Sequence, residues 1–261
     1  GSRGIGLAIA ERAARDGANV AILAKTDQPH PRLEGTIHTA AAAIEAAGGQ
    51  ALPILGDVRS EESVQEAVER TVERFGGIDV VVNNASAIDL SSTQDLPMKK
   101  YDLMQDINCR GSFLLAKTAL PHLRASDAAH VLTLSPPLNL NPRWAGAHLG
   151  YTIAKYGMSL VTLGLAEEWR EHGIAANSLW PRTAIATAAV QNLLGGDETM
   201  ARSRSPQIMA DAAHAVLTRD PAECTGRFLI DDDVLAEEGV SDLSVYGPPA
   251  EQLFPDFFLD A

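Results

Sequence analysis

The sequence predicts an α/β protein built on a doubly wound parallel sheet. Apolar runs that are nearly continuous in Val, Ile, Leu and Ala alternate with amphipathic stretches along the chain, a pattern typical of strands that helices bury on both faces. The chain has 261 residues, of which 46% are hydrophobic, and this length suits one large α/β domain or two small ones. No internal repeat or low-complexity linker interrupts the alternation, so we expect a single domain over 1–261.

Six strands and six helices follow from these patterns. Ser60 precedes Glu61 and Glu62, which indicates a helix start because a hydroxyl caps the first turn and acids favour its positive end. The tail at 240–261 is rich in Pro, Asp and Phe, and we expect it to pack over the domain as an irregular C-terminal arm. Strands are predicted at 19–24, 50–57, 78–85, 130–135, 174–180 and 226–232, and helices at 4–16, 36–47, 60–75, 98–124, 151–171 and 206–218.

Composition and charge exclude several classes of function. The formal net charge is −13, and so acidic a chain repels nucleic acids and anionic membranes. No window of about 18 uninterrupted apolar residues is present, so we expect no membrane span. Cys109 and Cys224 lie far apart, which favours a reducing, cytoplasmic compartment. The seven histidines lack the spacing of metal ligands, so we expect no metal site.

The chain begins with GSRGIG, a glycine-rich turn that leads into the first helix. Gly4 and Gly6 let the backbone approach a pyrophosphate, and the exposed N–H groups of the helix start attract the anion. A simple tight turn is the alternative. No strand-like run precedes this turn, so we expect the sheet to lack its first strand through N-terminal truncation. An added apolar strand of about six residues should then raise stability and cofactor affinity.

Two cations near the glycine-rich turn favour NADP(H) over NAD(H). A site selective for NAD places an acid at the end of the next strand, where it binds the ribose hydroxyls. Here that position carries Lys25, and Arg3 lies within the glycine loop. Together they suit a 2′-phosphate. A solvated surface lysine is the alternative for Lys25.

Polar residues also follow two later strands. Asp57, at the end of the strand at 50–57, is placed to accept a hydrogen bond from the adenine amino group, or else it caps a turn. Asn83 and Asn84 end the strand at 78–85, where their amides are placed to connect neighbouring strand ends and contact a cofactor. Ordinary turn chemistry is the alternative for both.

Tyr151 and Lys155 form the candidate acid/base pair. They lie four residues apart at the start of a helical pattern, which puts both side chains on one helix face. An ammonium group beside a phenol stabilises the phenolate, so the phenol becomes a usable proton donor and acceptor near neutral pH.

Taken together, the glycine loop, NNA, the Asn in DINCRG and the Y-x-x-x-K pair resemble the short-chain dehydrogenase/reductase family in order and spacing. The resemblance covers essentially the whole chain and implies a Rossmann-like fold. Stretches such as LSPPLNLNPRW, LWPRTAIATAA and PDFFLD resemble one branch in particular, whose animal members carry a further sterol-carrier domain. We expect that domain to be absent here, because the chain stops at Ala261.

The resemblance implies roles by position. Tyr151 would exchange a proton with the carbonyl or alcohol oxygen, and Lys155 would assist it and bind the nicotinamide ribose. Asn108 would hold a water in a proton relay to Lys155, or else it only stabilises a helix kink. Helices 98–124 and 151–171 would form a homo-oligomer interface. The predicted cofactor-binding residues are Ser2, Arg3, Gly4, Ile5, Gly6, Lys25, Asp57, Val58, Asn84, Ala85, Tyr151, Lys155, Pro181, Ile185 and Thr187.

The chain departs from the family at the catalytic serine. That serine usually lies thirteen residues before the tyrosine, but position 138 is Leu. Ser135 is the nearest candidate, although a comparison of strand ends puts Pro136 at the usual site. Either Ser135 serves as the catalytic serine or no hydroxyl reaches the carbonyl. The second case would cost about 3 kcal/mol in the barrier, as for loss of an oxyanion donor.

Two further departures bear on the substrate. Arg182 replaces the usual glycine after Pro181 and would receive an acidic or CoA-linked substrate, or else it is a solvated arginine. The stretch TDQPHPRLEG lengthens the connection after the strand at 19–24, and Pro29 and Pro31 stiffen it. The substrate walls are expected in 136–150 and 182–205, with apolar residues that suit a lipid-like compound. These wall residues are Leu138, Leu140, Trp144, Trp180 and Ile185.

The sequence therefore predicts an NADP(H)-dependent oxidoreductase that transfers hydride between nicotinamide and a carbonyl or secondary alcohol. An enoyl- or dienoyl-thioester reductase is a second reading. A dinucleotide-binding module with little catalysis is a third, motivated by the displaced serine.

Overall fold

A computed structural model describes residues 1–29 and 34–260. Helices and strands alternate through these residues, with short helical turns at Arg170–His172, Ser244–Tyr246 and Ala250–Gln252. The elements are α1 (Gly4–Arg15), β1 (Asn19–Ala24), α2 (Ile37–Ala46), β2 (Gln50–Leu55), α3 (Glu61–Phe75), β3 (Val80–Asn83), α4 (Met98–Met104), a π-helical segment (Gln105–Arg110), α5 (Gly111–Leu123), β4 (His130–Thr133), α6 (Pro142–Ala147), α7 (Leu149–Glu168), β5 (Ala175–Trp180), α8 (Ala188–Leu193), α9 (Gly196–Ala201), α10 (Gln207–Leu217), β6 (Phe228–Ile230) and α11 (Asp231–Glu237).

The first of two compact units comprises Gly1–Gly56, Pro181–Thr218 and Ile230–Asp256. In it β1 and β2 pair in parallel over their whole length. Gly49 precedes β2 at a close approach, because a Cβ there would lie 2.5 Å from the Ala18 carbonyl oxygen. Small and branched apolar side chains from α1, β1 and α2 form the core here: Ala10, Ala14, Ile22, Ile37, Ala40, Ala41 and Ile44.

The second unit comprises Asp57–Trp180, Arg219–Leu229 and the residues at 257–260. Its sheet has the strand order β3-β4-β5-β6, and β3, β4 and β5 pair in parallel. Every residue of β4 and β5 is buried, as expected for central strands with helices on both faces. The core of this unit contains Val68, Val81, Ala116, Ala119, Leu123, Ala129, Val131, Leu165, Ala166, Trp169, Ile174 and Ala176.

The parallel α/β architecture is confirmed, and each predicted strand and helix is present within a few residues of its expected bounds. The strands form two sheets, one of two strands and one of four. No strand precedes α1 among the described residues. The expectation of a single domain stays a prediction. Pro29 is exposed in the irregular segment after β1, whereas Pro31 lies outside the described residues.

Two predicted elements were wrong in detail. The single helix expected at 98–124 is interrupted by the π-helical turn at Gln105–Arg110, which inserts an extra residue into the helical ladder. The strand expected at 226–232 ends at Ile230, and α11 begins at Asp231. Three acids occupy the first turn of α11, where they interact favourably with the helix dipole. The predicted substrate walls also contain α6, α8 and α9.

Candidate active site

The glycine-rich turn forms the start of α1 in the first unit. Arg3 is the extended residue before the helix. Gly4 has φ +53°, which side-chain-bearing residues rarely adopt, and a Cβ there would lie 3.3 Å from Thr187 Cγ2. The first N–H groups of α1 have no acceptor within the helix. Gly4 and Thr187, both predicted to bind the cofactor, therefore meet at a helix end suited to an anion.

Arg3 is held beside the end of β1. Its guanidinium donates hydrogen bonds to Thr26 Oγ1 at 3.0 Å and to the Gly35 carbonyl at 3.3 Å. Both acceptors are neutral, so they orient the guanidinium without neutralising its charge. Lys25 is exposed and precedes Thr26 in the chain. The structure thus places the two predicted cations on the same strand end.

The segment after Pro181 combines predicted cofactor residues with an ion-pair cluster. Ile185 is buried and forms an isolated parallel β-bridge with Arg204. The Thr187 hydroxyl caps α8. These contacts fix the backbone of the segment. At Thr187 the segment lies beside Gly4, at the start of α1.

Arg182 forms ion pairs with two carboxylates. Its Nε lies 2.7 Å from both oxygens of Asp232, and its Nη2 lies 2.7 Å from Asp233. These carboxylates compensate the guanidinium charge, although the Arg182 side chain is 43% exposed. The sequence could not predict these partners of Arg182, because they lie in α11, about 50 residues later in the chain.

Asp231 is a functional candidate that sequence reasoning missed. It is 1% exposed, and burial raises the pKa of its carboxyl to about 6. Its Oδ1 accepts hydrogen bonds from the backbone N–H groups of Arg182 and Asp232, while Oδ2 has no partner among the described residues. The sequence carries no signal for this beyond a run of three Asp.

At the start of the second unit, Asp57 lies in a turn. Arg59 donates to both of its carboxylate oxygens, with an Nη2–Oδ2 distance of 2.6 Å. Val58 packs against the start of α5, where a Cβ on Gly111 would lie 3.1 Å from Val58 Cγ2. The geometry matches the turn alternative, and the contact of Asp57 with adenine stays a prediction.

The end of β3 is connected to β4 through a side-chain amide. Asn83 Nδ2 donates to Thr133 Oγ1 at 3.4 Å, and the Leu134 N–H donates to the Asn83 carbonyl at 3.0 Å. Asn83 therefore makes the strand-end contact expected of it. Asn84 and Ala85 follow in the loop, half-buried.

Asn108 lies in the π-helical turn and is fully buried. Its Oδ1 accepts a hydrogen bond from the Ala87 N–H at 2.7 Å, and its Nδ2 donates to the Ala87 carbonyl at 3.0 Å. The Asn108 carbonyl in turn accepts from the Ser112 hydroxyl at 2.6 Å. The amide thus fixes the loop after β3, and the part of Asn108 in a proton relay stays a prediction.

Tyr151 and Lys155 lie one turn apart in α7, and both are buried, with exposed fractions of 5% and 3%. Lys155 Nζ donates to the Leu134 carbonyl at 2.5 Å and lies 4.9 Å from the Trp180 ring centroid. A buried ammonium requires such partners, and an aromatic face supplies a further attraction. Lys155 is therefore positioned from the end of β4 on the same helix face as Tyr151.

Ser135 is buried immediately after β4, and its Oγ has no hydrogen-bond partner among the described residues. A buried hydroxyl without a partner costs about 1–3 kcal/mol. The neighbouring segment is held by α7, since Ser159 Oγ donates to the Pro136 carbonyl at 2.6 Å and Tyr156 Oη donates to the Asn139 carbonyl. Leu138 is half-buried in this segment.

An aromatic cluster surrounds Tyr151, and sequence reasoning missed most of it. His148 is buried with an unpartnered Nε2, and burial lowers the pKa of its imidazole. Its ring centroid lies 6.0 Å from that of Tyr151. Phe257 and Phe258 approach from the other end of the chain. The paired phenylalanines of PDFFLD were the only sequence signal.

The predicted site residues therefore fall into two groups, one in each unit. The first unit contains Ser2, Arg3, Gly4, Ile5, Gly6, Lys25, Pro181, Ile185 and Thr187, and the second contains Asp57, Val58, Asn84, Ala85, Asn108, Ser135, Tyr151 and Lys155.

Two other kinds of site would be a metal centre and a membrane-spanning helix. No cluster of three or more potential metal ligands was found in the described part of the chain. Within residues 1–29 and 34–260, no helix is both long and apolar enough to cross a membrane.

Comparison with known proteins defines the class. Residues 1–232 match a family model described as enoyl-(acyl carrier protein) reductase, and the chain belongs to the short-chain dehydrogenase/reductase family. Among its curated relatives is hydroxysteroid dehydrogenase-like protein 2 of Danio rerio, 58% identical over 260 residues. That match covers 99% of this chain and 62% of the relative, so the chain spans less than two thirds of the relative's length.

Solved structures show the same fold. A short-chain dehydrogenase from Mycobacterium thermoresistibile is 57% identical, with a TM-score of 0.94 over 100% of this chain and 93% of that one. An NADH-dependent reductase responsible for alginate metabolism is 26% identical, with a TM-score of 0.70 over 87% of this chain and 90% of that one. Since that relative is named for NADH, the fold alone does not select the phosphorylated cofactor.

Proposed function

We propose that the protein is an NADP(H)-dependent oxidoreductase acting on a carbonyl or secondary alcohol. The observation that carries this proposal is the buried Tyr151–Lys155 pair, whose ammonium is fixed by the Leu134 carbonyl and the Trp180 ring. The bound nicotinamide supplies or accepts the hydride. Tyr151 gives a proton to the carbonyl oxygen during reduction and removes it from the hydroxyl during oxidation, while the Lys155 charge stabilises the phenolate.

The residues of the first unit suit the cofactor's phosphates. The α1 start offers unpaired N–H groups, and Gly4 leaves room where a side chain would strain the backbone and crowd Thr187. Arg3 and Lys25 supply the positive charge that a 2′-phosphate requires. These observations support NADP(H) over NAD(H).

A lipid-like substrate is the finer part of the proposal. Leu138 and Leu140 lie on the segment that follows Ser135, and Leu140 is 85% exposed, which leaves an apolar side chain open to a ligand. Ser135 remains the candidate for polarising the carbonyl, since its hydroxyl is the nearest one to the family position.

The acid/base pair is tested by substitution. Tyr151→Phe should lower kcat/KM for NADPH-dependent ketone reduction by at least about 100-fold, since general acid–base groups contribute about 10²–10⁴. Tyr101→Phe, a matched change in α4, should leave it unchanged. A Tyr151→Phe rate within twofold of wild type would show that the assigned acid/base is wrong. Tight NADPH binding without turnover in the wild type would instead favour a binding module.

Cofactor choice is tested on the two cations. Arg3→Ala and Lys25→Ala should each lower the NADPH-to-NADH ratio of kcat/KM by about tenfold, the equivalent of 1.4 kcal/mol. Lys99→Ala removes an exposed charge from α4 and serves as the control. An unchanged ratio in both variants would remove the basis for NADP(H) preference.

A second candidate function is reduction of an enoyl thioester, favoured by the description of the matching family model. Arg182 argues against recognition of an acidic CoA group, because Asp232 and Asp233 already pair with it. Parallel assays of an enoyl-CoA and a free ketone decide between the two, since the preferred substrate should show the higher kcat/KM.

Exposed apolar residues on two helices support a homo-oligomer. Ile153, Leu160 and Leu163 of α7 are 42–57% exposed, and Phe113 of α5 is 48% exposed. Such a face is unusual for a monomer. Sedimentation should show an oligomer for the wild type and a smaller species for Leu160→Arg, with Val245→Arg, at a residue that is 76% exposed, as the control.

A further inference from the structure

The four residues Phe257–Asp260, here called the FFLD segment, lie against the candidate acid/base residue. The Phe257 ring centroid is 4.9 Å from that of His148 and 6.4 Å from that of Tyr151. Phe258 is 6.1 Å from Tyr151. Two consecutive aromatic rings therefore flank the phenol on which the proposed proton transfer depends.

Phe258 anchors the segment. It is fully buried, with ring centroids of Tyr156, Trp144 and Trp180 at 5.3, 5.8 and 5.9 Å. Its φ is +70°, a left-handed conformation that bulky residues rarely adopt. Burial of its aromatic ring offsets that strain.

Polar contacts fix the backbone of the segment. Three consecutive carbonyls each accept a hydrogen bond from a side chain that lies elsewhere in the second unit: Phe257 from Trp180 Nε1 at 3.0 Å, Phe258 from Asn139 Nδ2 at 3.0 Å, and Leu259 from Arg143 Nη2 at 3.2 Å. Each contact restrains one peptide group, so the segment has a defined position.

Asp260 secures the other end. Its carboxylate contacts four side chains in 139–144, including Arg143 Nη2 at 2.6 Å. The hydrogen bond from Asn139 lowers the pKa of this carboxyl, so it is charged at neutral pH. The other contacts are with Asn141 Nδ2 at 3.3 Å and Trp144 Nε1 at 3.2 Å. The FFLD segment is therefore tied to residues 139–144 of the predicted substrate wall at 136–150.

Phe257 differs from Phe258 in being only half-buried. Its ring packs on that of His148, and its centroid lies 6.4 Å from that of Tyr151. We propose that Phe257 is a specificity-determining wall of the Tyr151 site, which limits the size of the apolar group on the reacting carbonyl carbon. This inference rests on the proposed function. Phe258 and Asp260 act as positioning residues that hold Phe257 in place.

The test compares substrates of graded size. For Phe257→Ala, the ratio of kcat/KM for a branched or long-chain ketone to that for a four-carbon ketone should rise at least tenfold over wild type. Phe254→Ala, a 43% exposed phenylalanine in the first unit, should leave the ratio unchanged. Thermal melting of each variant shows whether it is folded.

A uniform loss for all ketones in a folded Phe257→Ala protein would overturn the proposal, as would an unchanged ratio. Binding of the same ketones, followed by tryptophan fluorescence, gives a readout without turnover. Phe257→Ala should tighten the Kd of the large ketone at least fivefold and leave that of the small one unchanged, and an equal Kd for the large ketone in both proteins would also overturn the proposal. Wild-type protein that binds ketones but reduces none would contradict the proposed function alone.

Discussion

Asn108 provides a sharp test of the link between the π-helical turn and the loop that follows β3. Its side chain pairs with both the N–H and the carbonyl of Ala87, at 2.7 and 3.0 Å. Asn108→Ala would remove both partners at once. Leaving a buried donor or acceptor unpaired costs about 1–3 kcal/mol, so two groups amount to about 2–6 kcal/mol. Ala87 is half-buried, which lets water recover part of the loss, and we expect about 2–4 kcal/mol.

Urea denaturation at pH 7.5 measures this loss, with Asn192→Ala as the matched control. Asn192 is exposed and donates one hydrogen bond to the Ala188 carbonyl at 2.7 Å, so its variant should lose less than about 0.5 kcal/mol. An Asn108→Ala protein as stable as the Asn192→Ala protein would refute the reasoning.

Asn108→Asp separates pairing from packing. One carboxylate oxygen can still accept from the Ala87 N–H, but the other would face the Ala87 carbonyl, where two acceptors repel. A protonated carboxyl can donate there instead. The free energy of unfolding of this variant should therefore approach that of wild type as pH falls from 7.5 to 5, whereas that of Asn108→Ala should keep its deficit.

Three further outcomes follow from local geometry. For Asp231, burial raises the pKa from 3.8 to about 6, so the native state favours the protonated carboxyl. Stability should fall by roughly 3 kcal/mol as pH rises from about 4 to 6, and in urea titrations Asp231→Asn should lack this fall. For His130, burial lowers the pKa of the imidazole, so the stability that it contributes above pH 6.5 should be lost as pH falls below that value. Urea midpoints at pH 7.5 and 5.5 should differ less in His130→Leu than in wild type or in the exposed control His172→Leu. Gly4→Ala should raise the NADPH Kd in calorimetry several-fold because of the left-handed φ and the Thr187 contact, and an unchanged Kd would refute the assigned loop.

Local patterns determined much of the fold. The buried strands read as apolar runs because helices cover both of their faces, and Val131 and Leu132 in β4 show this. Helix starts could also be predicted: Ser60 was expected to cap α3, and its side chain accepts a hydrogen bond from the Ser63 N–H. The Tyr151–Lys155 spacing likewise required only the helix repeat. In each case the physical cause acts within a few residues.

Features that depend on distant partners were decided by the tertiary structure. The π-helical turn places Asn108 against Ala87, 21 residues earlier, and Arg182 pairs with Asp232, 50 residues later. The FFLD segment meets residues 139–144 from more than 115 positions away. Neither helical periodicity nor strand alternation encodes such pairings. The sequence alone thus determined the family, most of the elements and the spacing of the candidate pair Tyr151 and Lys155, whereas packing decided which side chains surround that pair, because hydrogen bonds and ring contacts form only once the chain has folded.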